Sequence, residues 1–256
     1  MMLFVEAIIG AGKTAFGKAM EEAIGRKNCK FVKEWVPPRH LKKFYNDMVA
    51  KDQFLGDPHY NLAFQLIMAS GRKMCQIKAV EEELKNAVNC PDCHGHGKVT
   101  SLGIFKMNCP NPECRNGKII NRIVFLERSL YADALCFAKN CITNKEDLEL
   151  YEYFKTGYLI PNYFVPQGII YLKSSPEECL ERINNRMQVD SQRKCESVIG
   201  LEYLTKLHKS HEEWLLRLER KIPVYVYITE RYDWRKKEVA DFIADDIMKK
   251  VGFKKL

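Results

Sequence analysis

A glycine-rich segment near the beginning of the chain has the residue types and spacing of a loop that binds nucleotide phosphates. The segment from Glu6 to Thr14 has the sequence EAIIGAGKT, and it follows an apolar run and precedes a helical pattern. In such a loop, backbone N–H groups and the helix N-terminus can face the β- and γ-phosphates, a lysine supplies positive charge and a threonine hydroxyl binds Mg²⁺. The predicted ATP- and Mg²⁺-binding residues are Ile9, Gly10, Ala11, Gly12, Lys13 and Thr14.

The loop departs at one position from the strict G-x-x-x-x-G-K-[ST] pattern. Ala7 stands where the first glycine belongs. Alanine adopts most loop conformations with negative φ, so phosphate binding is compatible with this residue. A chance glycine-rich turn between a strand and a helix is the alternative interpretation.

Further charged residues lie where predicted strands end. Glu34 follows the second strand, and Glu127 and Arg128 end the third. Three arginines flank a polar segment after the fourth strand, and they are Arg182, Arg186 and Arg193. The carboxyl ends of parallel strands meet at one edge of a sheet, so we expect these residues to converge beside the glycine-rich loop. Phosphoryl transfer requires such a set, namely a group that orients the nucleophile, a metal ion, and cations on the transferring group.

Taken singly, each of these residues also has a structural explanation. Glu34 could be a solvated strand end, and the arginines could be surface charges on a helix. Arg182 and Arg186 are four residues apart and share one helix face, where like charges cost stability unless a ligand neutralises them. Binding of phosphates would supply that ligand.

Four of the ten cysteines form two close pairs with the spacing of zinc sites. Cys90 and Cys93 form a C-x₂-C pair, and Cys109 and Cys114 form a C-x₄-C pair after fifteen intervening residues. Four thiolates in this pattern can bind Zn²⁺ tetrahedrally and leave no open position for chemistry. We therefore expect a structural or partner-binding zinc module, and nucleic acid is one partner that such modules contact. Reduced free cysteines, or a histidine replacing one thiolate, are the alternatives.

The composition is ordinary for a globular enzyme, with 46% hydrophobic and 29% charged residues in a chain of 256. The formal net charge of +8 fits a nucleic-acid-binding protein and equally an enzyme with phosphorylated substrates. No apolar run approaches about 20 residues, so we expect no membrane span. Residues 2–5 form a strand directly before the loop, which leaves no room for a signal peptide and predicts an intracellular, cytoplasmic location.

Alternating strands and helices are expected to position these residues. Apolar runs predict five strands, at 2–9, 31–32, 119–126, 168–172 and 224–228. Helical patterns occupy 14–25, 39–49, 58–88, about 130–157, a helix capped by Ser175, a helix ending near 220, and 234–251. This order predicts an α/β protein with a parallel sheet covered by helices on both faces. Residues 89–118 interrupt it as a zinc-ribbon-like insertion, which should lie at the amino end of the sheet because it precedes the third strand.

The order of these motifs resembles that of the deoxynucleoside kinase family over nearly the whole chain outside the insertion. The strongest matches are ERSLYAD from Glu127, PEECLERI from Pro176, LEYL from Leu201 and HKSHEEWL from His208. The resemblance implies a three-layer P-loop kinase fold over residues 1–256, usually assembled as a homodimer. It implies transfer of the γ-phosphate of ATP to the 5′-hydroxyl of a deoxynucleoside.

The resemblance also implies a role for each candidate residue. Glu34 would be the base for the 5′-hydroxyl, Arg128 would hold that hydroxyl and the base in place, and Glu127 would help bind Mg²⁺. Together with Lys13 these residues form the implied catalytic set. An arginine-rich lid, the segment that carries the three arginines named above, would close on the ATP phosphates.

A second set of residues is expected to bind the deoxynucleoside. Gln65 and Arg72 lie on one face of a predicted helix, and the family uses a glutamine here to hydrogen-bond the base. Family members that accept deoxycytidine or purine deoxynucleosides carry the arginine and aspartate found here as Arg72 and Asp133, so these substrates are favoured over thymidine. Tyr45 and Glu196 are expected to hold the sugar 3′-hydroxyl. A purely structural ion pair is the alternative for Arg72 and Asp133.

Two other functions remain possible from the sequence. A nucleoside monophosphate kinase would need extra cations for the substrate phosphate, whereas the predicted pocket residues are mostly neutral or paired. An ATPase with a nucleic-acid-binding zinc ribbon would need an acidic residue after an apolar strand and a residue that positions water. The run from Val124 to Glu127 could supply the first, but Arg128 and Ser129 favour a small-molecule kinase.

Overall fold

The computed structural model describes residues 1–37, 43, 58–101, 105–111, 113–155, 166–218 and 221–254. Its strands are β1 (Met2–Glu6), β2 (Cys29–Val32), β3 (Val88–Asn89), β4 (Lys98–Ser101), β5 (Phe105–Asn108), β6 (Lys118–Ile119), β7 (Ile123–Glu127), β8 (Gly168–Lys173) and β9 (Val224–Ile228). Its α-helices are α1 (Lys13–Ile24), α2 (Pro58–Lys85), α3 (Leu130–Ala132), α4 (Lys139–Cys141), α5 (Lys145–Phe154), α6 (Pro176–Val189), α7 (Leu201–Leu218) and α8 (Lys237–Val251). A π-helical segment, Asp133–Ala138, joins α3 to α4, and a 3₁₀ segment, Ser191–Val198, lies between α6 and α7.

The main sheet contains five parallel strands in the order β2-β7-β1-β8-β9. All residues of β1 and β7 are buried, as expected for parallel strands covered on both faces. Helices α1 and α8 pack against each other, and α7 packs against α6 and the π-helical segment. The predicted α/β fold with a five-stranded parallel sheet is confirmed. Strands β2 and β7 lie on one side of β1, and β8 and β9 lie on the other. The chain therefore leaves the middle of the sheet in both directions, which creates a crevice at the carboxyl ends of the strands.

Two predicted elements differ from the structure. The prediction of one strand over 119–126 is wrong, because β6 pairs antiparallel with β3 while β7 joins the main sheet. The helical stretches expected over about 130–157 are present, but they are separate segments and one of them is π-helical. A break at Ile142 is followed by Asn144, whose side chain accepts the Glu146 N–H (2.8 Å) and starts α5. The predicted helix at 39–49 lies outside the described residues, except for Lys43.

The insertion forms two small antiparallel pairs, β3 with β6 and β4 with β5. The β3–β6 pair closes the base of the insertion, and β7 begins after three further residues, 120–122. The N-terminal amine of Met1 donates to the carbonyls of Ile120 and Arg122, at 3.0 Å each, so the insertion adjoins the amino ends of β1 and β7. No helix in the described part of the chain has both the length and the apolar character needed to cross a membrane.

Candidate active site

The predicted phosphate loop connects β1 to α1. Gly10 and Gly12 have φ of +90° and +86°, a region that glycine adopts without steric cost. A Cβ at Gly10 would lie 2.5 Å from the carbonyl oxygen of Cys179, so this position also requires glycine for space. Ala7, in place of the first glycine, is not among the described residues with positive φ. The backbone here therefore accommodates alanine.

Lys13 begins α1 and folds back over the loop. Its Nζ donates to the carbonyls of Ala7 (3.4 Å) and Ile8 (3.3 Å), and its side chain is buried. Burial and the positive charge of Arg128 lower the pKa of Lys13 to about 8, although nearby carboxylates oppose the shift. Long hydrogen bonds to two carbonyls are a weak substitute for phosphate oxygens, so the amine is available to an anion entering the loop.

Thr14 and Glu127 meet beneath the loop. The Thr14 hydroxyl donates to the carboxylate of Glu127, with the two oxygens at 3.0 and 3.1 Å. The backbone N–H of Glu34 also donates to this carboxylate, at 3.3 Å. A hydroxyl and a carboxylate are oxygen ligands of the kind that Mg²⁺ prefers, so this pair fits the ion expected of a phosphate loop.

Glu34 lies between two arginines on the same side of the loop. Its carboxylate forms ion pairs with Arg128 (3.3 Å) and with Arg72, and only 15% of its side chain is exposed. Burial alone would raise the pKa of Glu34, but the positive charges of Arg128, Arg72 and Lys13 outweigh it and hold this pKa at about 2. Glu34 is therefore a carboxylate at neutral pH and can accept a proton or a hydrogen bond from a bound hydroxyl.

Arg72 links Glu34 to Asp133. The arginine is fully buried on α2, Asp133 is buried at the start of the π-helical segment, and the two side chains form an ion pair. Gln65, seven residues before Arg72 on the same helix, is also buried. Among the described residues, Asp133 Oδ2 and Arg128 Nη1 are buried without a hydrogen-bond partner. Buried polar atoms without partners are costly, so a ligand that satisfied them would be held firmly.

The lid arginines lie around the cavity mouth. Arg186 and Arg193 both pair with the buried carboxylate of Glu196, at 2.6 and 2.8 Å. Arg182 instead donates to the Thr229 hydroxyl (3.2 Å) and pairs with Glu178 (2.9 Å). Glu196, predicted to bind a sugar hydroxyl, therefore neutralises two lid arginines in this structure.

These residues surround a cavity of about 470 Å³, within the usual size range for small-molecule sites. Every predicted catalytic, nucleotide-binding and substrate-binding residue that the structure describes lines it, except Ala11. Tyr45 lies outside the described residues. A second cavity, of about 660 Å³, adjoins the first and shares Gly12, Ala15 and Arg182 with it. Its other walls come from α6 and from the segment between β9 and α8.

Two buried side chains near the site were not among the predicted residues. Glu6, the last residue of β1, accepts the Ser129 N–H through its carboxylate at 2.6 Å. Gln76 on α2 donates to the carbonyl of Arg128 at 2.8 Å. A charged residue that ends an apolar strand was a usable signal for Glu6. Gln76 follows Gln65 by eleven residues, which is the same face of a helix, but a lone glutamine there is no signal in itself.

The four predicted zinc ligands come together in the insertion. The sulfur atoms of Cys90, Cys93, Cys109 and Cys114 all lie within 4.8 Å of one another. Two of these separations are 3.7 Å, close to the edge of about 3.8 Å expected for a tetrahedron with Zn–S bonds of about 2.3 Å.

Backbone N–H groups support two of these sulfurs. Gly97 donates to the sulfur of Cys93 (3.2 Å) and Gly117 to that of Cys114 (3.3 Å). A Cβ at Gly117 would lie 2.0 Å from the carbonyl oxygen of Gly95, so the two turns approach each other more closely than any other residue would permit. The cluster could therefore bind a zinc ion.

A phosphate loop, converging charges and an arginine-bearing lid on a parallel sheet define a P-loop α/β protein. The sequence profile described as "Deoxynucleoside kinase" matches residues 104–252, more than half of the chain. This chain belongs to the deoxynucleoside kinase family.

Individual relatives are similar over shorter or more divergent stretches. Deoxycytidine kinase 2 of Gallus gallus is 38% identical over 101 residues, which is 36% of either chain. Deoxycytidine kinase 1 of Xenopus laevis is 26% identical over 238 residues, which is 82% of this chain and 72% of that protein. The match thus spans little more than a third of the first curated relatives. The structure of deoxyadenosine kinase from M. mycoides with bound dCTP has a TM-score of 0.63 and 19% identity, covering 97% of this chain and 100% of that one, which shows a common fold.

Proposed function

We propose that this protein transfers the γ-phosphate of ATP to the 5′-hydroxyl of a deoxynucleoside and releases the 5′-monophosphate and ADP. The observation that carries the proposal is the place of Glu34. Its carboxylate lies in one cavity with the phosphate loop, is held ionised by Arg128 and Arg72, and lies within the field of Lys13. A nucleophilic hydroxyl and a transferring phosphate would meet between these groups.

In the proposed reaction Glu34 is the general base. Its carboxylate accepts the proton of the 5′-hydroxyl while that oxygen bonds to the γ-phosphorus and the bond to the β-phosphate oxygen breaks. Arg128 holds Glu34 and the nucleophilic oxygen in line. Lys13 and the lid arginines stabilise the charge on the phosphates, which is the main requirement of phosphoryl transfer. When bound, Mg²⁺ would be held by Thr14 and Glu127 and would neutralise phosphate oxygens.

The two adjoining cavities support a division of substrates across the loop. The first contains Glu34, Gln65 and the Arg72–Asp133 pair, so we assign it to the deoxynucleoside. The second has no share in those residues, but it reaches Gly12 and Arg182, so we assign it to the nucleoside part of ATP. The phosphates would then lie where the cavities meet, on the loop.

We infer that a purine deoxynucleoside or deoxycytidine is preferred over thymidine. The buried Arg72–Asp133 pair presents fixed donors and acceptors, and Gln65 adds an amide beside it. A base whose edge does not match these groups would leave buried polar atoms without partners, which discriminates strongly. Tyr45 and Glu196 would hold the 3′-hydroxyl, and Glu196 would then exchange its lid arginines for the sugar.

We further propose that the chain is one kinase domain, residues 1–256, interrupted at 89–118 by a module that holds a structural Zn²⁺. The sulfur separations of 3.7 Å support zinc, and the closed set of four thiolates supports a structural role. We also propose a homodimer, which the resemblance to the family implies.

The decisive experiment is steady-state turnover of the four deoxynucleosides with ATP and Mg²⁺, with the product identified by chromatography and mass. The Glu34→Gln substitution should lower kcat by about 10² to 10⁴-fold, because it removes the base while it keeps a side chain of the same size. Glu149→Gln is the matched control, since Glu149 is an exposed glutamate on α5. Turnover of nucleoside monophosphates alone, or ATP hydrolysis that requires nucleic acid, would refute the proposal.

A further inference from the structure

Arg128 has an unusual backbone conformation that must be held by its surroundings. Its φ is +65°, in the left-handed region that residues with a side chain rarely adopt. Such conformations persist only where neighbouring groups fix them, and they occur frequently at functional sites. This turn directs the guanidinium over the ring of Phe137, 4.1 Å from its centroid, and toward Glu34.

Three hydrogen bonds fix the two peptide groups that flank this turn. The N–H of Arg128 donates to the carbonyl of Val5 (3.0 Å), and the carbonyl of Arg128 accepts from the side chain of Gln76 (2.8 Å). The next N–H, that of Ser129, donates to the carboxylate of Glu6 (2.6 Å). The Glu6 bond is the shortest of the three, and it joins the strand that leads into the phosphate loop to the residue that must face the nucleophile.

A buried glutamate such as Glu6 is energetically unfavourable at a position whose only role is packing. It is fully buried at the end of an otherwise apolar strand, and burying a carboxylate is unfavourable unless hydrogen bonds or charges compensate. Burial raises the pKa of Glu6, while Arg128 and the Ser129 hydrogen bonds oppose the rise. The compensating groups are mainly those of the Arg128 turn, with a smaller contribution from the charge of Lys13.

We propose that Glu6 is a positioning residue for phosphoryl transfer, which acts by accepting the Ser129 N–H and thereby holding Arg128 in the left-handed turn that points it at Glu34. The same turn sets the start of the helical segment that carries Asp133, because the Ser129 hydroxyl caps that segment at Ala132 (3.1 Å). Glu6 thus connects the phosphate loop to both substrate-binding side chains. This inference rests on the proposed kinase activity.

The test separates a hydrogen-bonding role from a general structural one. Glu6→Ala removes the acceptor and should lower kcat at least tenfold, with KM for ATP changed less than threefold. Glu6→Gln retains an acceptor oxygen of the same reach and should keep at least a third of the wild-type kcat.

In an Arg128→Lys background, the loss caused by Glu6→Ala should shrink to less than threefold, because the side chain through which Glu6 acts is already altered. Equal losses in the two backgrounds, an unaffected Glu6→Ala enzyme, or a Glu6→Gln enzyme as impaired as Glu6→Ala would each overturn the proposal.

Backbone amide exchange provides a readout that does not depend on turnover. Exchange at the Ser129 amide should be at least tenfold faster in Glu6→Ala than in the wild type, and close to wild type in Glu6→Gln. If the wild type phosphorylates no deoxynucleoside, the proposed function fails, and unchanged Ser129 exchange in Glu6→Ala would separately show that Glu6 does not hold this turn. A global increase in exchange across the sheet would assign Glu6 a general structural role and would also overturn the proposal.

Discussion

At the scale of single residues, the cations around Glu34 determine how it can act. A carboxylate with a pKa of about 2 is a weak base, but a loose phosphoryl-transfer transition state leaves little negative charge to develop on the attacking oxygen. The same cations keep Glu34 ionised across the physiological range. In the proposed reaction Glu34 would therefore both orient the nucleophile, together with Arg128, and accept its proton, and both roles require the carboxylate form.

This balance leads to a prediction about pH. Glu34 must be ionised, so activity is lost as pH falls through its pKa, and in the wild type that loss should lie well below pH 5. Arg72→Met removes one of the cations that lower this pKa, so the acid limb of kcat/KM for the deoxynucleoside should move to higher pH. The measurement is a kcat/KM profile from pH 4.5 to 8, which reports ionisations of the free enzyme and in which the wild type should show no acid limb.

Arg72→Lys is the matched control for this experiment, because it keeps a positive charge and should keep the acid limb near that of the wild type. The absolute rates of both variants will fall, since lysine cannot reproduce the guanidinium geometry. The pH at which kcat/KM falls, and not the absolute rate, tests the assignment of Glu34. An acid limb that does not move in Arg72→Met would contradict the assignment of Glu34 as the titrating base.

At the scale of elements, the phosphate loop depends on the close approach of α6. The carbonyl of Cys179 lies where a side chain at Gly10 would have to go, so the loop and the helix that carries Arg182 and Arg186 fit only with glycine. We predict that Gly10→Ala lowers ATP affinity at least tenfold, because both the positive φ and the contact at 2.5 Å force the loop to shift. Titration calorimetry with ATP on the wild type and Gly10→Ala would measure this loss of affinity.

Gly200→Ala tests whether any glycine substitution has this effect. Gly200 lies just before α7, its φ is not in the left-handed region, and an added Cβ there would meet nothing within 4 Å. ATP affinity should therefore stay within about twofold of the wild type, and thermal stability should not fall. Equal losses in both variants would mean that the effect is not specific to the loop, and an unchanged ATP affinity in Gly10→Ala would mean that the Cys179 contact is unimportant.

The same elements show what the sequence could predict. Strands β1, β7 and β8 were recognisable because buried parallel strands are continuous apolar runs, and the loop was recognisable because its glycines and lysine have fixed spacing. The boundary between β6 and β7 was missed, since it depends on pairing with β3, thirty residues away in the chain. Hydrophobic periodicity contains no information about such partners.

The π-helical segment and the Glu196 pairs were also beyond prediction. A π-helical turn has one extra residue in a local hydrogen-bond ring, and apolar spacing does not distinguish it from an α-helix over six residues. Under the proposed function, the choice of Glu196 between a sugar and two lid arginines would depend on whether substrate is present. The resemblance to the family suggested Glu196 as a site residue, but it could not show this alternative pairing.

At the scale of the whole molecule, the cysteine cluster and the active site lie at opposite ends of the same strand. Residues 119–122 lead from the insertion to the first residue of β7, whereas Glu127 is the last residue of that strand and Arg128 follows it. Five residues of strand span about 17 Å. The insertion also joins the end of α2, which carries Gln65 and Arg72, to β7. It can therefore stabilise the junction of two site-bearing elements without contacting a substrate.

This arrangement predicts that loss of zinc affects stability far more than catalysis. A structural Zn²⁺ contributes folding free energy directly, so Cys90→Ser should bind less than the one equivalent of zinc expected for the wild type and should unfold several degrees lower. Well below that temperature, KM for the deoxynucleoside and for ATP should stay within about threefold of the wild type, because none of the described residues that line either cavity belongs to the insertion. Cys75→Ser, a substitution of a cysteine on α2 outside the cluster, should retain full zinc content and stability.

Metal analysis, thermal denaturation and steady-state kinetics on the wild type and these two variants test the argument together. A Cys90→Ser protein of unchanged stability, or one that is folded yet has lost substrate affinity, would mean that the metal serves the active site in some way other than by holding the α2–β7 junction.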